Sequence, residues 1–208
     1  MFNLIKVTAL CFLISTTSAL CQSDDLKALV HSKVEYFDFV KVPGWQFDEL
    51  KKLLSAYNKS DVANAFIADL DTDRGSPDAN RYRDHIVQDL YAGLDLPAHN
   101  ICEQLEKVKS EKRKIQLMQI LPKSTDPEVI LTLLHQISDQ RVAIDFIGDT
   151  EGAPRPTGFR VCDMAFNMLA GYLTKKPGSI GHEDSIQTRD TIIQDGLKKL
   201  RSDGLLKF

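Results

Sequence analysis

Cysteine is scarce in this sequence, and its placement makes it scarcer. Of four cysteines, Cys11 sits in an apolar N-terminal run and Cys21 at its border, which leaves Cys102 and Cys162 for the body of the chain. Two cysteines so far apart, with no histidine at ligand spacing, do not form a zinc site. Buried thiols and a disulfide both remain open for them. The motifs that announce catalysis are also missing. There is no Gly-x-Ser-x-Gly elbow and no glycine-rich phosphate loop. His182-Glu183 begins a zinc-hydrolase frame, but Ile186 stands where its second histidine belongs. Asp69-x-Asp71-x-Asp73 has the alternating acids of a calcium loop, yet Arg74 takes the place of the turn glycine and Asn80 that of the closing glutamate. Those acids read as a helix end running into a polar turn, and no cofactor or metal is expected.

Charge of one sign is lacking too. The formal net charge is −3, from 26 basic and 29 acidic residues interspersed along the chain. A mixed, mildly acidic surface does not suit a nucleic-acid backbone, which calls for clustered Lys and Arg. The densest basic stretch, Lys107 to Lys114, carries Glu111 in its middle and reads as a solvated helix end.

Long apolar runs are absent apart from one. Lys6 precedes Val7-Thr8-Ala9-Leu10-Cys11-Phe12-Leu13-Ile14, which gives way to Ser15-Thr16-Thr17-Ser18-Ala19. A charged, then apolar, then small-residue order is that of a cleavable secretory signal. The run is about half the roughly 20 residues needed to cross a bilayer, so it is too short to anchor. Cleavage is expected after Ala19 or Cys21, giving a periplasmic or secreted protein with one domain over residues 22–208. Leu20 before Cys21 departs from the small residue that a lipidation signal prefers.

What the sequence has in quantity is helical periodicity. Phe47, Leu50, Leu53, Leu54 and Tyr57 recur at steps of three and four. Ser60 is positioned to cap a helix that buries Val62, Ala63, Phe66, Ile67 and Leu70. Ser76-Pro77-Asp78 and Asp126-Pro127-Glu128 each combine a cap, a proline at the first helical position and an acid at the positive dipole end. Pro97 opens a helix through Ile101, Leu105 and Val108, and a last helix runs through Ile186, Ile193, Leu197 and Leu200. Lys175 to Gly181 stops the helix before it. The segments Ser110–Leu121 and Asp126–Ser138, joined by a short link, are expected to form an antiparallel hairpin. Only Arg141 to Ile147 reads as an extended arm. The fold class is all-α, stacked helical hairpins or an irregular bundle, with one short extended arm near 141–147.

The pair over 110–138, followed by Arg160-Val161-Cys162-Asp163-Met164-Ala165-Phe166-Asn167-Met168-Leu169, resembles α-solenoid repeats of the HEAT type over residues 100–173. Two departures stand out: the long insert between Ser138 and Arg160, and the lack of a repeat period before residue 97. The resemblance implies a surface of stacked helices presented to another protein. The insert exceeds an ordinary connection, and long loops in compact domains are often functional. Its Arg141, Arg155 and Arg160, with Asp145, Asp149 and Glu151, are expected to form a charged rim suited to recognition. An arm that merely covers the end of the stack explains the same composition. The leading expectation is an exported, non-enzymatic protein-binding or structural module. The alternative is a small exported hydrolase whose acids and histidines meet only in the fold, with His99 or His135 gathered beside carboxylates in a pocket.

Overall fold

The computed structural model describes residues 24–35, 44–71, 77–144, 158–176, 178–181 and 184–207. It is mostly helical, as the apolar spacing requires, and no helix among the described residues is long and apolar enough to cross a membrane. Two compact units divide the chain between Pro97 and Ala98.

In the first unit, α1 (24–35) buries Leu26, Val30 and Val34, one residue per turn of a single face. Helix α2 (Gly44–Leu54) buries Leu50 and Leu54 but leaves Leu53 exposed, and it ends before Tyr57. Helix α3 (Lys59–Asp69) buries Val62, Ala63, Phe66 and Ile67, with Leu70 just beyond. Its cap is Asn58, whose side chain accepts from the Ser60 N–H at 2.8 Å; the helix thus starts one residue before the expected Ser60 cap. Helix α4 (Pro77–Gly93) begins at the proline that its sequence marks, while Ser76 lies outside the described residues. Lys59 closes the far end of this unit by donating to the carbonyl of Asp95 at 2.9 Å and to its carboxylate at 3.0 Å.

The second unit contains α5 (Ala98–Lys107), α6 (Glu111–Ile120), α7 (Pro127–Gln136), α8 (Val161–Thr174) and α9 (Ile186–Ser202). Between α7 and α8 come the strands β1 (Val142–Ile144) and β2 (Phe159–Arg160), paired antiparallel with Val142 opposite Arg160 and Ile144 opposite Phe159. The extended arm therefore exists at its root. Ser110 caps α6, accepting from the Arg113 N–H at 3.3 Å.

The hairpin expected from α6 and α7 does not form. Instead α5 packs on α6 and α7, and α8 packs on α6 and α7, while α6 and α7 barely touch. A short link limits the distance between two helix ends, but it does not make their faces meet. The apolar stripes choose the partners: Ile101, Cys102 and Leu105 of α5 are buried, as are Val129, Ile130 and Leu133 of α7.

Direction follows from the contacts. His99 pairs with Glu128, and Glu106 pairs with His135, each pair 29 residues apart. Equal separations mean that α5 and α7 run parallel. The C-terminal ends of α6 and α8 also lie together, since the Tyr172 hydroxyl donates to the Leu121 carbonyl at 2.9 Å, 51 residues away. At their N-terminal ends, Arg141 joins the two: its guanidinium donates to the Lys109 carbonyl at 2.9 Å, and its own carbonyl accepts from the Val161 N–H at 3.1 Å. Two layers result, α5 beside α7 and α6 beside α8, and the excess of the second offset over the first corresponds to the insert between α7 and α8.

Helix α9 packs on α8 at a close approach that requires glycine. A Cβ on Gly196 would run into the ring of Phe166, itself buried in a core with Phe159, Cys162, Ile180 and Ile193. Ile186, expected on the buried stripe, is exposed at the start of α9. Helix α8 is stopped by Lys175, which takes a left-handed conformation at φ 59°. Cys102 and Cys162 are both buried and free.

One charged cluster lies inside this unit. Asp163 is 0% exposed, and its carboxylate accepts from the Arg160 guanidinium at 2.8 Å, from the Arg160 backbone N–H at 3.0 Å and from Arg189 of α9 at 3.0 Å. Arg189 also donates to the Gly158 carbonyl at 2.9 Å and lies 5.5 Å from the centre of the Phe159 ring. Removing the carboxylate takes from the buried Arg160 and Arg189 guanidinium groups the acceptor they share, leaving Arg160 its pair with Asp190, and breaking a buried ion pair costs about 3–5 kcal/mol. The Asp163→Ala variant is expected to lose stability of that order in urea denaturation. A loss below about 1 kcal/mol would show that the cluster is not what holds β2, α8 and α9 together.

Candidate interaction site at the base of the arm

The last turn of α7 leads through Ser138, Asp139, Gln140 and Arg141 into β1, and these residues form one wall of an open cleft of about 530 Å³. The rest of its lining comes from Leu105 and Glu106 of α5, Lys114 of α6, and His135 and Gln136 of α7. Three helices and the arm's root therefore meet here, for the reasons of layer packing given above.

Asp139 is the hub. Its carboxylate accepts from Arg141 Nη2 at 2.7 Å and Nε at 2.8 Å, and from Lys114 Nζ at 2.9 Å. The Arg141 hydrogen bonds pull its pKa far below the ordinary carboxylate range, and with the Lys114 bond they outweigh partial burial, which acts the other way. Asp139 is thus ionised and engaged on both oxygens. Its backbone carbonyl also accepts from the Cys162 N–H at 2.9 Å, so the same residue satisfies a free donor in the first turn of α8. Arg141 additionally pairs with Glu111 at 2.5 Å.

Of the six residues expected on a charged rim, Arg141 is half exposed and lies at the cleft edge. Arg160 is placed otherwise. It is 3% exposed, caps α8 and pairs with Asp163 and with Asp190 at 2.8 Å. Its charge is turned inward because Asp163 follows at the third helical position, where an acid reaches back to the cap. Asp145, Asp149, Glu151 and Arg155 lie outside the described residues.

His31, His99 and His135 are each engaged by one carboxylate at hydrogen-bond distance. His135 Nδ1 lies 3.1 Å from Glu106, and His99 Nδ1 lies 2.5 Å from Glu128, both between α5 and α7. In the first unit His31 Nδ1 lies 2.6 Å from the buried carboxylate of Asp69, the first acid of the Asp69-x-Asp71-x-Asp73 pattern. Asp71 is exposed, and Asp73 lies outside the described residues.

Neither thiol is set up for attack. Burial, reinforced by the neighbouring Asp163 charge, pushes the Cys162 thiol up to about 12. Burial also raises the Cys102 thiol, more than a hydrogen bond with Thr132 lowers it. Among hydroxyls at the cleft, Ser138 Oγ donates to the His135 backbone carbonyl at 2.7 Å and not to an imidazole. Glu106, Lys114 and Gln136 escape a reading of the sequence as site residues, since they belong to separate helices and share no local motif.

Asp139 and Asp163 both have folded-state pKa values below their ordinary range, the latter because Arg160 and Arg189 outweigh a strong burial effect. Groups shifted this way stabilise the fold above the unfolded carboxylate value of about 3.9 and lose that contribution as pH falls through their lower folded values. Stability measured by thermal unfolding is expected to hold from pH 7 to about 5 and to decline below about 4. Asp139→Asn should flatten part of that decline, and an unchanged acid profile would show that Asp139 is not held as described.

No protein family, curated protein or solved structure is found to match this chain.

Proposed function

We propose that the chain is an exported, HEAT-like helical-repeat protein that binds another protein and performs no catalysis of its own. The observation that carries this reading is the parallel register of α5 on α7 at a constant offset of 29 residues, with α8 beside α6 in a second layer. Stacked helix pairs of this kind offer an extended surface whose neighbours differ only in side chains, which suits recognition of another chain. On this reading the repeats are α5 with α6 and α7 with α8, and the insert is an elaboration within the second. Export rests on the charged, apolar and small-residue order of residues 1–21.

One observation favours the hydrolase alternative: His135, Glu106 and Asp139 line a common cleft. Its chemistry argues the other way. Asp139 is saturated by two cations, the nearby hydroxyl is turned to a backbone carbonyl, and the cleft is open to water. A general base needs a nucleophile's proton within hydrogen-bond reach, and none of these contacts supplies one.

The test uses the full chain in its native host. The exported material should begin at Leu20 or Gln22, and it should retain a partner on an affinity matrix. Replacing residues 145–157 by two glycines should weaken that retention about tenfold or more. An uncut N-terminus would refute export. Ester or amide turnover abolished by His135→Ala would establish the hydrolase instead.

A further inference from the structure

His31 has a carboxylate on either side of its ring. It sits on α1 with Glu35 one turn further along, the i, i+4 spacing that puts both side chains on one face of the helix. Nδ1 lies 2.6 Å from Asp69 at the end of α3, 38 residues away, and the Asp69 side chain is 2% exposed. Nε2 lies 3.4 Å from Glu35, and these two side chains are 39% and 57% exposed.

The two contacts differ in kind. A carboxylate accepts, so at 2.6 Å from Asp69 it is Nδ1 that donates. The neutral ring has a single N–H, and Nε2 therefore keeps its lone pair. That lone pair faces the Glu35 carboxylate at 3.4 Å, beyond the roughly 2.7–3.2 Å of an N–H···O bond. Two acceptors facing one another are favourable only with a cation between them. An imidazolium would supply a proton instead, and it would draw Glu35 in to ordinary hydrogen-bond length. The separation suits a metal ion: zinc held at about 2.0–2.2 Å by each of two tetrahedral ligands keeps those ligands about 3.4 Å apart. A ring that gives Nδ1–H to a carboxylate and presents Nε2 outward is also how proteins orient a metal-binding histidine.

Donor chemistry sets the class of ion. One imidazole nitrogen and one carboxylate oxygen suit a borderline cation such as Zn²⁺, whereas Ca²⁺ and Mg²⁺ favour oxygen ligands throughout. Among the described residues no three His, Cys, Asp or Glu side chains are gathered for a metal. The chain thus supplies two ligands and water the other positions, which the exposure of His31 and Glu35 permits. The Asp69-x-Asp71-x-Asp73 spacing hides such a site, because Asp69 acts through His31 and not as a ligand within its own segment.

We propose that His31 Nε2 and Glu35 bind a divalent cation of the zinc class, with Asp69 as the positioning residue that holds the ring by its Nδ1–H. The site belongs to the first unit and does not depend on the protein-binding reading.

The probe is Zn²⁺ alone, titrated up to millimolar concentration into the isotope-labelled full chain at neutral pH, with the imidazole nitrogens followed by NMR. Before addition, the His31 Nδ1 should carry the proton and Nε2 should not. On addition the Nε2 resonance should shift and saturate, and Ca²⁺ or Mg²⁺ should not reproduce the shift. Glu35→Gln, at an exposed position, should weaken binding about tenfold or more with unchanged thermal unfolding. Asp69→Asn removes the charge that fixes the ring. It should weaken binding about tenfold and reduce the share of the Nδ1–H tautomer. His99→Ala should leave the titration as it was, since that ring offers its Nδ1 to Glu128. The proposal is overturned by protons on both His31 nitrogens at neutral pH, by an Nε2 resonance that Zn²⁺ leaves unmoved, or by affinity undiminished in Glu35→Gln and Asp69→Asn.

Discussion

The second unit is organised around one carboxylate. Asp163 is fully buried, and its two oxygens are shared between Arg160, which ends β2, and Arg189, which lies on α9. Taking these ions out of water is unfavourable by several kcal/mol each, so the cluster persists only because nearly every lone pair of the carboxylate is met. Apolar residues of similar volume would pack as well. They would not, however, fix the angle at which the return strand enters α8, nor hold Gly158 and the ring of Phe159 against Arg189. The ion cluster supplies direction where dispersion forces supply only cohesion.

Much of this fold is readable in the sequence, and the failures are specific. Apolar residues at steps of three and four located the helices because burial of one face is what stabilises them. The Pro127 start is visible because a proline at the first helical position meets a local backbone need. Helix pairing was not visible. It depends on which stripes fit one another across 29 or 51 residues, and a short connecting link says nothing of that. Leu53 and Ile186 fell on predicted stripes and are exposed, since each lies at the margin of its apolar face.

Arg160 illustrates the same limit in charge. Composition alone places an arginine of a long polar loop on an exposed rim. The spacing Arg160-x-x-Asp163 already held the contrary signal, an acid three residues into a helix. What completed the burial was Arg189, 26 residues further on, together with Asp190, and no local pattern announces them. The cleft residues Glu106, Lys114 and Gln136 were hidden for the same reason.

The position of the insert gives the cleft its meaning. Because α7 and α8 belong to the same repeat on the solenoid reading, the arm leaves and re-enters the stack between two helices that already touch. Its root must therefore pass the C-terminal end of α7, and Ser138 to Arg141 do so while lining the cleft. Asp139 is bound at once to the cleft floor through Lys114, to the arm through Arg141 and to the first turn of α8 through its carbonyl. Arg141 at the root of the arm and Lys114 at the floor of the cleft thus meet on one acceptor. A displacement of either cation is therefore felt at the other through Asp139, which joins the arm's root to the helices beneath it.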